Sequence, residues 1–138
     1  IGRVLQIFLF DIWDMYSSSI RNMQTDDNSA RMFIQFLNLA QEHCLTNRDV
    51  AFYASELCIT PKYLSQVSQS VSNQPASTWI EYYAAFELVR LLNDQSLTLT
   101  EIADRMAFSS NSHFTRYCKR VIGMTPTEYR HKDTNIHL

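Results

Sequence analysis

The stretch "LTEIADRMAFSSNSHFTRYCKRVIGMTPTEYR", residues 99–130, carries three helix signals in close succession. Thr98, just before it, and Glu101 form the pattern of a capping box, which starts a short helix ending near Met106. Phe114, Tyr117, Cys118 and Val121 then recur at i, i+3, i+4 and i+7, the buried stripe of a helix over residues 111–122. Gly123 suits the left-handed residue that closes such a helix. Thr125-Pro126-x-Glu128 repeats the capping logic for a last short helix. Short helix, tight turn, second helix is the helix-turn-helix plan.

About fifty residues upstream the same plan recurs in "DVAFYASELCITPKYLSQVSQSVSNQPASTWI". Ala54, Leu57, Ile59, Leu64, Asn73 and Trp79 fall where the second copy has Ala103, Met106, Phe108, Phe114, Gly123 and Tyr129. The second copy has one extra residue in its turn. Small Ala54 and Ala103 let the two helices of each pair approach closely. Thr60-Pro61 supplies a cap followed by proline at the first helical position. Thr46 is the expected N-cap of the helix before it, which should end at Leu57.

Outside the repeat, Met32, Phe33, Phe36, Leu37 and Ala40 predict a helix over residues 29–44. Pro75 opens a longer one through "STWIEYYAAFELVRLLND", about eighteen residues and so roughly 27 Å. Residues 1–23 are apolar round most of a helix: Leu5, Phe8, Ile12 and Met15 form one stripe, with Leu9, Trp13, Tyr16 and Ile20 beside it. The first residue is Ile1, so a longer parent protein is expected. Residues 1–23 then read as its connector or interface helix, 24–29 as a linker, 30–130 as the helix-turn-helix domain and 131–138 as a tail. The expected fold class is all-α: two helix-turn-helix subdomains joined by a long linker helix, preceded by the extra apolar helix.

"ITPKYLSQV" with "STWI", followed by "LTEIADRMAF", F-T-R-x-x-K and G-M-T-P-T-E-Y-R, resembles the DNA-binding domain of AraC/XylS-type bacterial transcription regulators. The resemblance covers residues 29–130. It implies two helix-turn-helix units whose recognition helices enter successive major grooves on one DNA face, with residues 79–92 as the linker helix between them. The sequence departs from the family pattern where Ala107 and Asn73 replace common glycines and Cys118 a common phenylalanine. Asn tolerates a left-handed backbone, whereas an alanine there is strained.

The polar faces of the two reading helices supply the expected contacts. Arg pairs bidentately with guanine and Asn or Gln with adenine. Lys62, Ser65 and Gln66 in the first helix, and Asn111, Ser112, His113 and Arg116 in the second, are the expected base readers. Lys62 suits guanine or phosphate, and the resemblance puts His113 at the DNA-facing edge. Thr60, Gln69, Arg90, Ser110, Thr115, Lys119 and Arg120 are the expected phosphate contacts. The whole chain carries a formal charge of −2, which does not itself favour a polyanion. The charge is uneven: residues 1–45 balance at −2, while Arg116, Lys119, Arg120, Arg130 and Lys132 face Glu128 alone over residues 115–132. Screening over ~8 Å confines the N-terminal acidity.

Other functions find less support. Cys44, Cys58 and Cys118 are widely spaced with no C-x-x-C pair, and His43 beside Cys44 points about 100° away on a helix, so no metal site is expected. The cysteines read as reduced thiols of a cytoplasmic protein. No nucleophile elbow or phosphate loop points to an enzyme, no cofactor is implied, and no segment reaches the ~18 apolar residues of a membrane span. The expected partner is double-stranded DNA. Self-association through residues 1–23 is a further expectation, and contact with RNA polymerase follows from the resemblance. The competing reading is a helical protein–protein interaction module without DNA binding, favoured by a pI near 6.

Overall fold

A computed structural model describes residues 27–136. These residues form seven helices and no strand: α1 (Asp27–His43), α2 (Val50–Glu56), α3 (Pro61–Ser72), α4 (Ala76–Asn93), α5 (Leu99–Arg105), α6 (Asn111–Ile122) and α7 (Pro126–Ile136). The apolar segment 1–23, and the self-association expected of it, lie outside the described residues. The chain divides into two compact units between Tyr83 and Ala84, a boundary that falls inside α4. α7 runs on to Ile136, past the edge at Arg130 drawn from the sequence.

In the first unit α1 lays Phe33, Phe36, Leu37 and Ala40 against Tyr53 and Ala54 of α2, Leu64 and Val67 of α3, and Ala76, Trp79 and Ile80 of α4. Aromatic edges meet faces in this core, Phe33 with Trp79 at 5.6 Å and Phe36 with Tyr53 at 5.7 Å between ring centroids. The Tyr53 hydroxyl donates to the Asn47 carbonyl at 2.6 Å, and burial pushes its pKa above the usual phenol range. The N-cap of α2 is Asp49, not Thr46: its carboxylate accepts from the Ala51 N–H at 3.2 Å. Thr46 is taken up by the turn that ends α1, where the Thr46 and Asn47 amides both donate to the His43 carbonyl.

The helix-turn-helix turns are built the same way in both units. α2 ends with the Ile59 N–H on the Ala54 carbonyl and the Cys58 N–H on that of Ser55. α5 ends with Phe108 on Ala103 and Ala107 on Asp104. These are paired Schellman closures, and each needs one left-handed residue. Cys58 at φ 57° and Ala107 at φ 59° fill the position without glycine. The closures at the ends of α3 and α6 are left-handed too, at Asn73 (φ 59°) and Gly123 (φ 78°), as the sequence indicated.

The end of α3 is tied to α4 by polar bonds inside the core. Buried Ser68 donates to the Gln74 carbonyl at 2.7 Å, and Trp79 Nε1 donates to the Ser72 hydroxyl at 2.9 Å. In the second unit the buried side chains include Ala84, Ala85, Leu88, Leu91 and Leu92 of α4, Ile102 and Ala103 of α5 with Met106 at its C-cap, Phe114, Tyr117 and Cys118 of α6, and Tyr129 of α7. Phe108 packs its ring on Phe114 (5.5 Å) and Tyr117 (5.1 Å), which pins the turn to α6. Arg130 reaches back from α7 to the C-terminus of α4, donating to the Leu92 and Asp94 carbonyls at 3.2 and 3.1 Å. Tyr129 donates to Asn93 Oδ1 at 2.8 Å beside it. Thr98–Glu101 and Thr125–Glu128 both form the reciprocal cap that the sequence predicts.

Candidate nucleic-acid interface

Twelve residues each, α3 and α6 share one burial pattern position by position. Leu64, Val67 and Ser68 are buried in the first, and Phe114, Tyr117 and Cys118 in the second. Ser65 and Thr115 are half-buried at matching places, as are Val71 and Val121. Lys62, Tyr63, Gln66 and Gln69 are exposed on α3, and their counterparts on α6 are Ser112, His113, Arg116 and Lys119. Asn111 and Arg120 are exposed as well. Each helix therefore turns one long polar face to solvent, and neither contains an acidic residue.

The helix starts are set by their caps. Thr60 Oγ1 accepts from the Tyr63 N–H at 3.1 Å, and Ser110 Oγ from that of His113 at 3.2 Å. Each hydroxyl still holds its own proton, so capping leaves it one donor for an incoming oxygen. The extra residue of the second turn has a use here: Ser109 Oγ lies 3.0 Å from His113 Nδ1 and holds that ring. Lys119 and Arg120 occupy the last turn of α6, where the helix dipole favours positive charge. The Arg120 guanidinium lies 5.5 Å from the Tyr117 ring centroid while remaining exposed.

Two cations are committed more fully. Arg90 donates from Nε and Nη2 to Glu87 Oε2 at 2.9 and 2.7 Å, and that bonded carboxylate raises its pKa further. A phosphate reaching Arg90 would have to share it with Glu87. Arg130, counted in the basic run from the sequence, spends its guanidinium on the end of α4. Burial pushes the Cys118 thiol up to about 12, so it stays a protonated apolar side chain.

A family model described as a helix-turn-helix domain matches residues 53–132, more than half of the chain. The chain belongs to the AraC-type family of helix-turn-helix transcription regulators. Among curated relatives of this AraC-type chain is the arabinose operon regulatory protein of Escherichia coli K12, 24% identical over 75% of the chain. Another is the F1 operon positive regulatory protein of Yersinia pestis, 32% identical over 50% of it. The matched parts span 35% and 23% of those two proteins. The fold is that of the C-terminal domain of AraT, a response regulator from Geobacillus stearothermophilus, with a TM-score of 0.64 at 21% identity, covering 73% of this chain and 84% of that one.

Sequence reasoning assigned no role to the exposed Tyr63 and Ser70 of α3. Tyr63 stands fifty residues before His113, so the repeat itself carries the signal that would have found it.

Proposed function

We propose that this chain binds double-stranded DNA in a sequence-specific manner as the DNA-binding part of a bacterial AraC-type regulator, with α3 and α6 reading successive major grooves. The observation that carries the proposal is the acid-free polar face repeated on two helices with the same burial pattern. A helix presenting such a face suits the ~12 Å width of the major groove, where every base pair has its own donor and acceptor pattern.

On α6, Asn111, Ser112, His113 and Arg116 lie toward the N-terminal half and are assigned to base edges. Lys119 and Arg120, a turn further on, are assigned to phosphates, as are Ser110 at the helix start and half-buried Thr115. On α3, Lys62, Ser65 and Gln66 take the base-reading role, and Thr60 and Gln69 the backbone role. Arg90 is the weakest phosphate assignment, because Glu87 already holds it. Contact with RNA polymerase and self-association through residues 1–23 belong to the proposal for the parent protein.

The test is a gel shift of the chain with mixed-sequence duplex DNA at low salt, followed by selection from a random duplex pool. A retarded complex and an enriched sequence with two short conserved blocks are expected. No complex at tens of micromolar protein overturns the proposal in favour of a protein-interaction module.

A further inference from the structure

Three large apolar side chains stand exposed among the described residues: Ile34 (43%), Tyr63 (45%) and Phe86 (45%). Only Tyr63 lies on a reading helix. It is the third residue of α3, between Lys62 and Gln66 on the exposed face. Its backbone N–H caps onto Thr60, but neither its ring nor its hydroxyl has a hydrogen bond or ring contact with another described residue. The fold gives this aromatic no work.

Its counterpart is treated differently. His113 sits at the matching position of α6, and Ser109 bonds its ring nitrogen. The first turn is one residue shorter and has no equivalent of Ser109. One helix thus carries a polar ring held from behind, the other an aromatic ring that no described residue holds.

Side chains of a first helical turn lean toward the helix N-terminus, the end that a recognition helix brings nearest the bases. In the major groove the apolar feature a ring can match is the C5-methyl of thymine. Resting on the DNA-binding reading above, we propose that Tyr63 is a specificity residue whose ring packs on a thymine methyl within the site read by α3. The ring, not the hydroxyl, makes the contact, so removing the methyl from the DNA has the same effect as removing the ring from the protein.

The experiment uses the duplex enriched by the 138-residue chain, with each thymine replaced singly by deoxyuridine. At one thymine, loss of the methyl should weaken binding about fourfold, the value of burying one methyl group. Tyr63→Ala should bind the thymine and deoxyuridine duplexes equally, at about the wild-type affinity for deoxyuridine. Tyr63→Phe should keep the full discrimination. Far-ultraviolet circular dichroism of both variants checks that α3 is intact.

Indifference of the wild type to every methyl overturns the inference, and so does discrimination that survives Tyr63→Ala. Loss of affinity in Tyr63→Phe without any thymine effect would make the hydroxyl a phosphate contact, and also overturns it. Those outcomes leave DNA binding intact. Failure to enrich any duplex overturns the underlying reading and this inference together.

Discussion

Ala107 holds a backbone torsion that L-residues avoid, at φ 59°, because the Schellman closure of α5 leaves no alternative for the residue between Met106 and Phe108. The left-handed conformation costs a residue with a Cβ roughly 1–2 kcal/mol, and the extra freedom of an unfolded glycine offsets roughly 0.5–1 kcal/mol of that. Ala107→Gly should therefore stabilise the chain by about 0.5–1 kcal/mol. Circular dichroism should show a melting point a few degrees higher; a lower one would mean that the side chain of Ala107 is itself in use. The three cysteines make a second test at this scale. Cys58 is exposed at its turn, whereas Cys44 and Cys118 are buried. A thiol reagent at neutral pH should label one cysteine fast in the native chain and the rest only on unfolding. Two fast thiols would contradict the packing of one of the buried pair.

At the scale of elements, the sequence is legible where partners lie within one helical turn. Thr60-Pro61, Thr98 with Glu101 and Thr125 with Glu128 each cap a helix through a residue three positions on, so local chemistry decides the boundary. The stripes Leu64–Val67 and Phe114–Tyr117–Cys118 follow from helical spacing alone. Asp49 displaced Thr46 as a cap because the turn after α1 consumes Thr46, a consequence of where that helix stops. The tie made by Arg130 is illegible for a different reason: its acceptors are carbonyls 36 and 38 residues earlier, and no local pattern records them. The faces of α6 carry the sharpest predictions at this scale. Arg116→Ala should cost roughly 1–3 kcal/mol of DNA binding and relax preference at one base pair, read by selection from a random pool. Lys119→Ala should weaken every duplex alike and leave the selected sequence unchanged. A change of sequence with Lys119→Ala would exchange the two roles.

For the whole molecule, the formal charge of −2 is a poor guide to what a duplex meets. The acidic residues lie outside α3 and α6, and charges beyond a Debye length of ~8 Å are largely screened at physiological salt. The exposed cations of the two polar faces are Lys62, Arg116, Lys119 and Arg120, while Arg130 is occupied at α4 and Arg90 by Glu87. Each phosphate neutralised releases counterion and adds about −0.9 to the slope of log K against log salt. With Lys119 and Arg120 on phosphates the slope should be about −2, and Lys119→Ala should bring it near −1. The balance is also lopsided, because only Lys62 belongs to α3. Titrations of a fluorescent duplex between low and physiological salt measure the slope directly. A value near −7 would require cations such as Arg90, Arg105 and Lys132 to join the interface, moving it well beyond the two polar faces. A value near zero would leave neither face in contact with a phosphate backbone.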